Sequence, residues 1–591
     1  MEGKIVIYQV LTRLFGNTKT TNRPWGTAAE NGLGKFADFD DRALAQIKEL
    51  GVTHLWYTGV PHHALIGDYT AYGISKDHPD VVKGRAGSPY AVKDYYNVNP
   101  DLALDPSRRL EEFAELLQRT HRAGLKAIID LVPNHIARKY EGLTNPEGVE
   151  DFGVGDDTSV EYHVHNNFYY IPGEAFERPI WLDGYLPLGG DTSYDVPPFV
   201  EVPAKWTGNG SRSARPGFHD WYETVKINYG VRPDGTKDFD RLPESYGEMD
   251  HSAHFEFWRD RELPDSWHKF RDIALYWLDF GVDGFRYDMA EMVPVEFWSY
   301  LNSHIKNKRP DAFLLAEVYQ PDLYRPYLHL GKMDYLYDKV DFYDGLKLIV
   351  QGRGWTDHIP VVQKSVEDIE HHMLHFLENH DEQRIASPPF AGNAELGRPA
   401  MVVSATISSS PTMVYFGQEV GEPGNEDAGF GKPSRTSIFD YIGVPHHQMW
   451  MNDKKFDGGG LPENLKDLRE FYKRLLNFCL QSKALMGQYA DLHFHNKEQT
   501  DGYDHRLLSF LRWSPEEKLV VVANFDTEKS YSLDLSLPGE IIAQWQMEDG
   551  EYPLEEVLLQ KPHGPLRVAG GQGKLPVELA PLESLILVIG D

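Results

Sequence analysis

The sequence predicts an α/β protein: a closed (β/α)8 barrel with a domain inserted after its third strand and an antiparallel β-sandwich at the C-terminal end. Three observations carry that prediction. Short apolar segments alternate with amphipathic helical ones up to about Gln481, the pattern of βα units that close a parallel sheet. One connection, after the third apolar segment, is far longer than an ordinary βα loop. Beyond Ser482 the helical period gives way to alternating segments, as expected of half-buried strands.

Taken in order, the strands are expected at 5–10, 53–57, 126–131, 284–288, 313–317, 334–337, 373–377 and 412–416. The clearest helix covers 265–280, where Trp267, Phe270, Ile273, Ala274, Trp277 and Leu278 recur at helical spacing. Asp265 is expected to cap it and Gly281 to stop it. A second helix runs over 109–123 and ends at Gly124, just before the third strand. The barrel is therefore assigned to 1–135 and 262–481. The segment 136–261, rich in Gly, Pro, Asn, Asp and aromatics, is read as an inserted domain at the catalytic face. The last part, 482–591, is expected to be all-β, with strands at 505–513, 519–525 and 584–590.

Charge narrows the partners. Fifty-nine Lys and Arg stand against 90 Asp and Glu, a net charge of −31. That field repels phosphate backbones and anionic membranes, so a neutral substrate is expected, with neither nucleic acid nor membrane as partner. The start, MEGKIVIYQV, lacks the basic end and long apolar run of a secretory signal. The lone cysteine, Cys479, cannot form an internal disulfide. Both favour the cytoplasm over secretion. Oligomeric state is left open.

Acidic residues recur where barrel strands end, at the mouth where such folds carry their chemistry. The third strand ends in Asp130-Leu-Val-Pro-Asn134-His135 and the fourth in Arg286-Tyr-Asp288. The fifth ends in Glu317 and the seventh in Asn379-His380-Asp381. An Asp at a strand end is usually a turn former, and each histidine alone is ordinary. Several carboxylates at one mouth, however, repel each other and resist burial. Glycoside hydrolysis needs such a set: one carboxyl protonated to donate to the leaving oxygen, another ionised to attack or to activate water. Arg286 lies two residues before Asp288 on the same side of its strand and is expected to lower its pKa, as a nucleophile requires. Glu317 has no cation beside it in sequence, so neighbouring carboxylates are expected to raise it toward a general acid.

This ordered set resembles the signature regions of the α-amylase family of glycoside hydrolases, whose catalytic domain is a TIM barrel. The resemblance implies Asp288 as nucleophile, Glu317 as general acid/base and Asp381 as the carboxylate that grips sugar hydroxyls near the transition state. It implies His135, His380, Arg286, Tyr90 (in SPYAVKDYYNVNP) and Arg384 as substrate-binding residues. The implied substrate is an α-1,4-glucan or maltooligosaccharide. Acceptor choice stays open, leaving a transglycosylase, glucanotransferase or sucrose-acting enzyme as the alternative. A non-catalytic subunit is disfavoured because all three carboxylates are kept.

Departures bear on specificity and metal. Many α-amylases carry Lys-His shortly after the nucleophile, where this chain has Met289-Ala-Glu291. Val225-Lys226-Ile-Asn228 resembles the family's fifth region in the form found in neopullulanase and cyclomaltodextrinase types. Those relatives usually have a further N-terminal domain, whereas here the first strand begins almost at once. No cofactor is required for the chemistry. A structural calcium is left as an option, with Asn134 as a candidate ligand that Lys226 would oppose and Asp151 to Asp157 as a second acidic stretch. His62-His63 and His371-His372 lack a complete zinc ligand set. Tyr169, Tyr170, Trp181 and Trp206 are candidates either for stacking along a glucan or for the core of the insert.

Overall fold

The computed structural model describes residues 3–182, 184–431 and 433–590. Eight strands close a parallel barrel: β1 (Val6–Leu11), β2 (His54–Thr58), β3 (Lys126–Leu131), β4 (Gly284–Tyr287), β5 (Phe313–Ala316), β6 (Tyr335–Tyr337), β7 (Met373–Phe376) and β8 (Thr412–Tyr415). Each pairs with the next, and β8 returns to β1. All eight expected strands are present, within a residue of their expected ends. They are mostly apolar on both faces because side chains fill the barrel and helices cover it, with Gln9, Asp130, Arg286 and His375 among the buried polar exceptions.

The helix Asp265–Phe280 buries the predicted stripe of Trp267, Phe270, Ile273, Ala274, Trp277 and Leu278. Each large side chain of this kind contributes about 1.5–3 kcal/mol on leaving water. Gly281 ends the helix with φ of 118°, a conformation costly for any other residue. Pro264, not Asp265, occupies the N-cap. Asp265 stands in the first turn, where its charge complements the helix dipole, and accepts a hydrogen bond from Asn167 Nδ2 at 2.8 Å.

After β3 the chain leaves the barrel. His135–Ala137 pairs antiparallel with Thr224–Lys226, and Tyr170–Ile171 with Ala204–Lys205; most of the intervening chain is loop. The excursion returns through the helix His251–Trp258, whose Trp258 Nε1 donates to Ser299 Oγ on the barrel helix Val295–Lys308 at 2.8 Å.

Beyond Gln481 a five-stranded and a four-stranded antiparallel sheet enclose their own apolar core. Leu511, Val520 and Val522 meet Leu535, Leu566 and Leu575 there. Two short helices, His493–Gln499 and Gly539–Gln544, interrupt the strands and correct the all-β expectation. The first, HFHNKEQ, ends in the straight-chain helix formers Lys, Glu and Gln and lacks apolar alternation. Buried Arg512 ties this part to the barrel by donating to Ile407 O at 2.7 Å, and it also donates to Leu485 O within its own part at 2.6 Å.

Candidate active site

Strand register explains how the carboxylates converge. Arg286 on β4 stands opposite Asp130 on β3 and Leu315 on β5. With a side-chain period of two, Asp288 and Glu317 then project from adjacent strands at one level on the inner face. Both are buried, at 5% and 4% exposure.

Arg286 sits between them. Its Nη1 donates to Asp288 Oδ1 at 2.7 Å, and its Nη2 lies 2.9 Å from Glu317 Oε2, an ion-pair contact outside hydrogen-bonding angles. Nη1 is also 3.6 Å from Asp130 Oδ1. The guanidinium is fully buried with the rings of Trp56, Tyr90 and Tyr337 around it, its carbon 5.3, 5.4 and 5.8 Å from their centroids. These faces suit a delocalised cation. The expectation that Glu317 lacks a cation is therefore corrected: the fork of one arginine reaches two strands, which adjacency in sequence does not reveal.

The electrostatics of the pair also differ from expectation. Burial, then the Glu317 carboxylate, push the Asp288 pKa well above the ordinary range, with Arg286 opposing. One guanidinium spread over several carboxylates does not neutralise them all. Glu317 has further donors: Met289 N at 2.8 Å to Oε2 and Tyr319 OH at 2.7 Å to Oε1. Met289 adopts φ of 45° to aim that N–H, a left-handed conformation costing on the order of 1–3 kcal/mol and typical of functional sites.

Asp381, on the loop after β7, is the most open of the three carboxylates, its side chain 37% exposed. Burial would raise its pKa, but His380, Arg435 and Arg286 outweigh it and hold the group below the usual range. His380 Nε2 lies 3.0 Å from Asp381 Oδ2 and 2.5 Å from the Tyr90 hydroxyl. On its other side His380 Nδ1 meets Gln9 Nε2 at 2.8 Å. Tyr90 reaches Asp130 as well, its hydroxyl 3.4 Å from Oδ1. His135 Nδ1 meets Asn134 Nδ2 at 3.0 Å, leaving Nε2 facing Asp288 Oδ2 at 3.7 Å. Burial, aided by Lys226 and Lys83, lowers His135 to about 3, so it is a neutral ring.

Of the residues singled out from sequence, Asp288, Glu317, Asp381, Tyr90, His135, Arg286 and His380 thus come together. Arg384 does not join them. It is fully buried and committed to Glu378 Oε2 (2.9 Å), Phe416 O (2.9 Å) and Thr436 Oγ1 (3.0 and 2.9 Å). It braces the turn bearing His380 and Asp381, with four of its five N–H groups committed to protein acceptors. Arg435 takes the outer position instead, donating to Asp381 O at 2.5 Å and lying 3.7 Å from Oδ1. Nothing in its local pattern marks Arg435, which comes from the loop after β8. Tyr319 was legible in principle, two residues past Glu317 on the same side.

Glu291, three residues past Asp288, accepts backbone N–H groups of Tyr319 and Gln320 at 2.9 and 3.1 Å, fixing the loop after β5. Lys226 Nζ donates to Asn134 Oδ1 and to Met292 O, the latter at 3.2 Å. Burial draws Lys226 down to about 7, but charged or neutral it occupies the oxygen a calcium ion would need. Asn134 therefore does not fit as a calcium ligand. In the stretch Asp151 to Asp157, Asp156 accepts from Asn167 N, Phe168 N and Tyr170 OH, and Asp157 from Ser159. Among the described residues no cluster of three or more His, Cys, Asp and Glu is placed to hold a metal. Tyr169 and Trp206 stack on each other at 4.3 Å and are buried, the core alternative; Trp181 stays half-buried.

A parallel barrel with this carboxylate cluster at its mouth defines the class of (β/α)8 barrels equipped for acid–base and nucleophilic chemistry. A family model for the α-amylase catalytic domain matches residues 257–457. An α-amylase of Streptomyces lividans is 25% identical over 427 residues, covering 67% of this chain and 41% of the relative. Neopullulanase 2 of Thermoactinomyces vulgaris is 21% identical over 599 residues, covering 98% and 77%. Among solved structures, the noncanonic maltogenic α-amylase AmyB from Thermotoga neapolitana superposes with a TM-score of 0.59 at 18% identity, covering 100% and 99% of the two chains. About a third of the chain thus matches the α-amylase catalytic-domain model, and most of its length is similar to proteins named α-amylase and neopullulanase. The chain spans about half the length of two of the curated relatives it matches. Among the described residues no helix is long and apolar enough to cross a membrane.

Proposed function

We propose that the chain is a retaining glycoside hydrolase cleaving α-1,4-glucosidic bonds of starch-type glucans or maltooligosaccharides. The observation that carries this reading is the single Arg286 guanidinium in contact with both Asp288 and Glu317. Such a bridge favours the close carboxyl spacing, about 5 Å, of retaining enzymes. Asp288 attacks the anomeric carbon, and Glu317 gives its proton to the leaving oxygen as that bond breaks. Glu317 then takes a proton from water, whose oxygen displaces Asp288 and restores both groups. Arg286 stabilises the carboxylate that is ionised at each stage. Asp381, His380 and His135 bind hydroxyls of the sugar at the cleavage point, above the ring of Tyr90. Domain limits of 136–261 and 482–591 are part of the proposal, as is a chemistry without a metal at Asn134.

The test is maltoheptaose digestion followed by chromatography and anomeric NMR, with Asp288→Asn alongside. Shorter products released as the α-anomer, and lost in the variant, are expected. Products longer than maltoheptaose would reassign the enzyme as a transglycosylase, and β-anomers would remove the covalent intermediate.

A further inference from the structure

Glu317 has two oxygens from which a proton could leave, and their surroundings are not alike. Oε2 faces two groups that can only donate, Met289 N at 2.8 Å and Arg286 Nη2 in ion-pair contact at 2.9 Å. Neither a backbone N–H nor a guanidinium has an acceptor to offer a proton placed against it. Oε1 faces the Tyr319 hydroxyl at 2.7 Å, and among the described residues no other group is bonded to that oxygen. A carboxyl oxygen has two lone pairs, so one direction at Oε1 stays open for the glycosidic oxygen.

Tyr319 is held for this contact. Its backbone N–H donates to Glu291 Oε2 at 2.9 Å, and its ring lies 6.5 Å from that of Tyr337. Lys339 Nζ stands 5.7 Å over the ring face, itself paired with Asp344 at 3.2 Å and Glu382 at 3.3 Å. Burial, then the Glu317 carboxylate, push the phenol well above its ordinary value, so its hydroxyl stays a donor.

We propose that Glu317 Oε1 carries the proton given to the leaving group, and that Tyr319 is a positioning residue whose bond to that oxygen strengthens as the proton departs. The inference rests on the retaining-hydrolase reading above. In the first step the proton passes from Oε1 to the glycosidic oxygen. The electron pair of the breaking C1–O bond goes to that same oxygen, and Asp288 forms the new bond to C1. Negative charge then develops on Glu317, and a hydrogen bond to an ionised acceptor is about twice as strong as one to a neutral acceptor. Tyr319 therefore contributes more in the transition state than in the ground state, the condition for raising a rate. Oε2, gripped by Met289 and Arg286, keeps the carboxyl plane fixed meanwhile. A leaving group that departs without a proton gains nothing from Tyr319.

Values of kcat/KM for the wild type and Tyr319→Phe are measured across aryl α-maltotriosides of graded leaving-group acidity, with α-maltotriosyl fluoride as the member that needs no proton. Tyr319→Phe is expected to lose about tenfold on the poorest leaving groups and less than about twofold on the fluoride, with KM nearly unchanged. The loss should shrink steadily as the phenol becomes more acidic, a dependence that a merely loosened loop would not produce. Equal loss across the series, fluoride included, would make Tyr319 a brace and overturn the inference, as would no loss on any member. Glu317→Gln, run alongside, separates this inference from the reading beneath it. If that variant falls on the fluoride as far as on the aryl glycosides, Glu317 is not the acid and both fail. If it spares the fluoride while Tyr319→Phe shows a flat loss, the inference alone fails.

Discussion

At the scale of single residues, the proposed division of labour between Asp288 and Glu317 gives the sharpest test. A general acid matters only where the leaving group needs a proton. Glu317→Gln is therefore expected to lose about a thousandfold or more in kcat on maltooligosaccharides. It should retain near wild-type rates for the first step on an α-glucosyl fluoride, whose leaving group departs unprotonated. Asp288→Asn should be inactive on both. Stopped-flow release of fluoride checks this, and equal loss on both substrates would remove Glu317 from the acid's role. The identities of these residues were legible because they close their strands in a fixed order. Their partners were less so. Arg286 was placed beside Asp288 by the period of its strand, yet its reach to Glu317, 31 positions away, exists only once β4 and β5 lie in register.

At the scale of elements, the turn after β7 depends on a buried ion pair. Glu378 accepts from Arg384 Nη1 at 2.9 Å and from Ile385 N at 2.7 Å, bracketing His380 and Asp381. Arg384→Met would leave Glu378 buried without its cation, at a cost of about 3–5 kcal/mol. The expected outcome is a clear drop in thermal midpoint by calorimetry, with kcat falling through displaced Asp381 more than KM rises. A rise in KM alone would mean that Arg384 touches substrate after all. The motif pointed to this arginine but assigned it the wrong partner, since sequence order does not say which side of a turn a long side chain takes. Helix and strand positions were legible from apolar periodicity. The short helices of the C-terminal part were not, because a turn or two of helix buries too little surface to impose a period.

At the scale of the whole molecule, stability in acid is set partly by histidines held neutral inside it. Burial lowers His54, His63, His254 and His447 to about 4 and His135 to about 3. Their unfolded value is about 6.5, so between those limits the unfolded chain binds more protons. Stability is then lost as pH falls from about 6.5 toward 4. Raised carboxylates such as Asp440, pushed by burial to about 6, work in the opposite sense, so a difference measurement is needed. His447, fully buried with Nε2 2.7 Å from Phe15 O, supplies it. The advantage of wild type over His447→Gln in unfolding free energy should shrink by about 3 kcal/mol between pH 7 and 4. A constant gap would show that the ring protonates in place.

Lys226 carries a different kind of consequence. Its amine joins Asn134, on the way into the inserted segment, to Met292, just past β4. Chelator should leave the thermal midpoint and the activity unchanged, and Lys226→Met should lower the midpoint in a way that added calcium does not restore. A midpoint that falls in chelator would contradict both. A clasp made from the polypeptide's own side chain has no dissociation rate into solvent. It cannot be diluted, scavenged or outcompeted, and the seam it holds stays shut whatever ions the surroundings supply. Covalent capping of that amine, by acetylation for instance, would unfasten it.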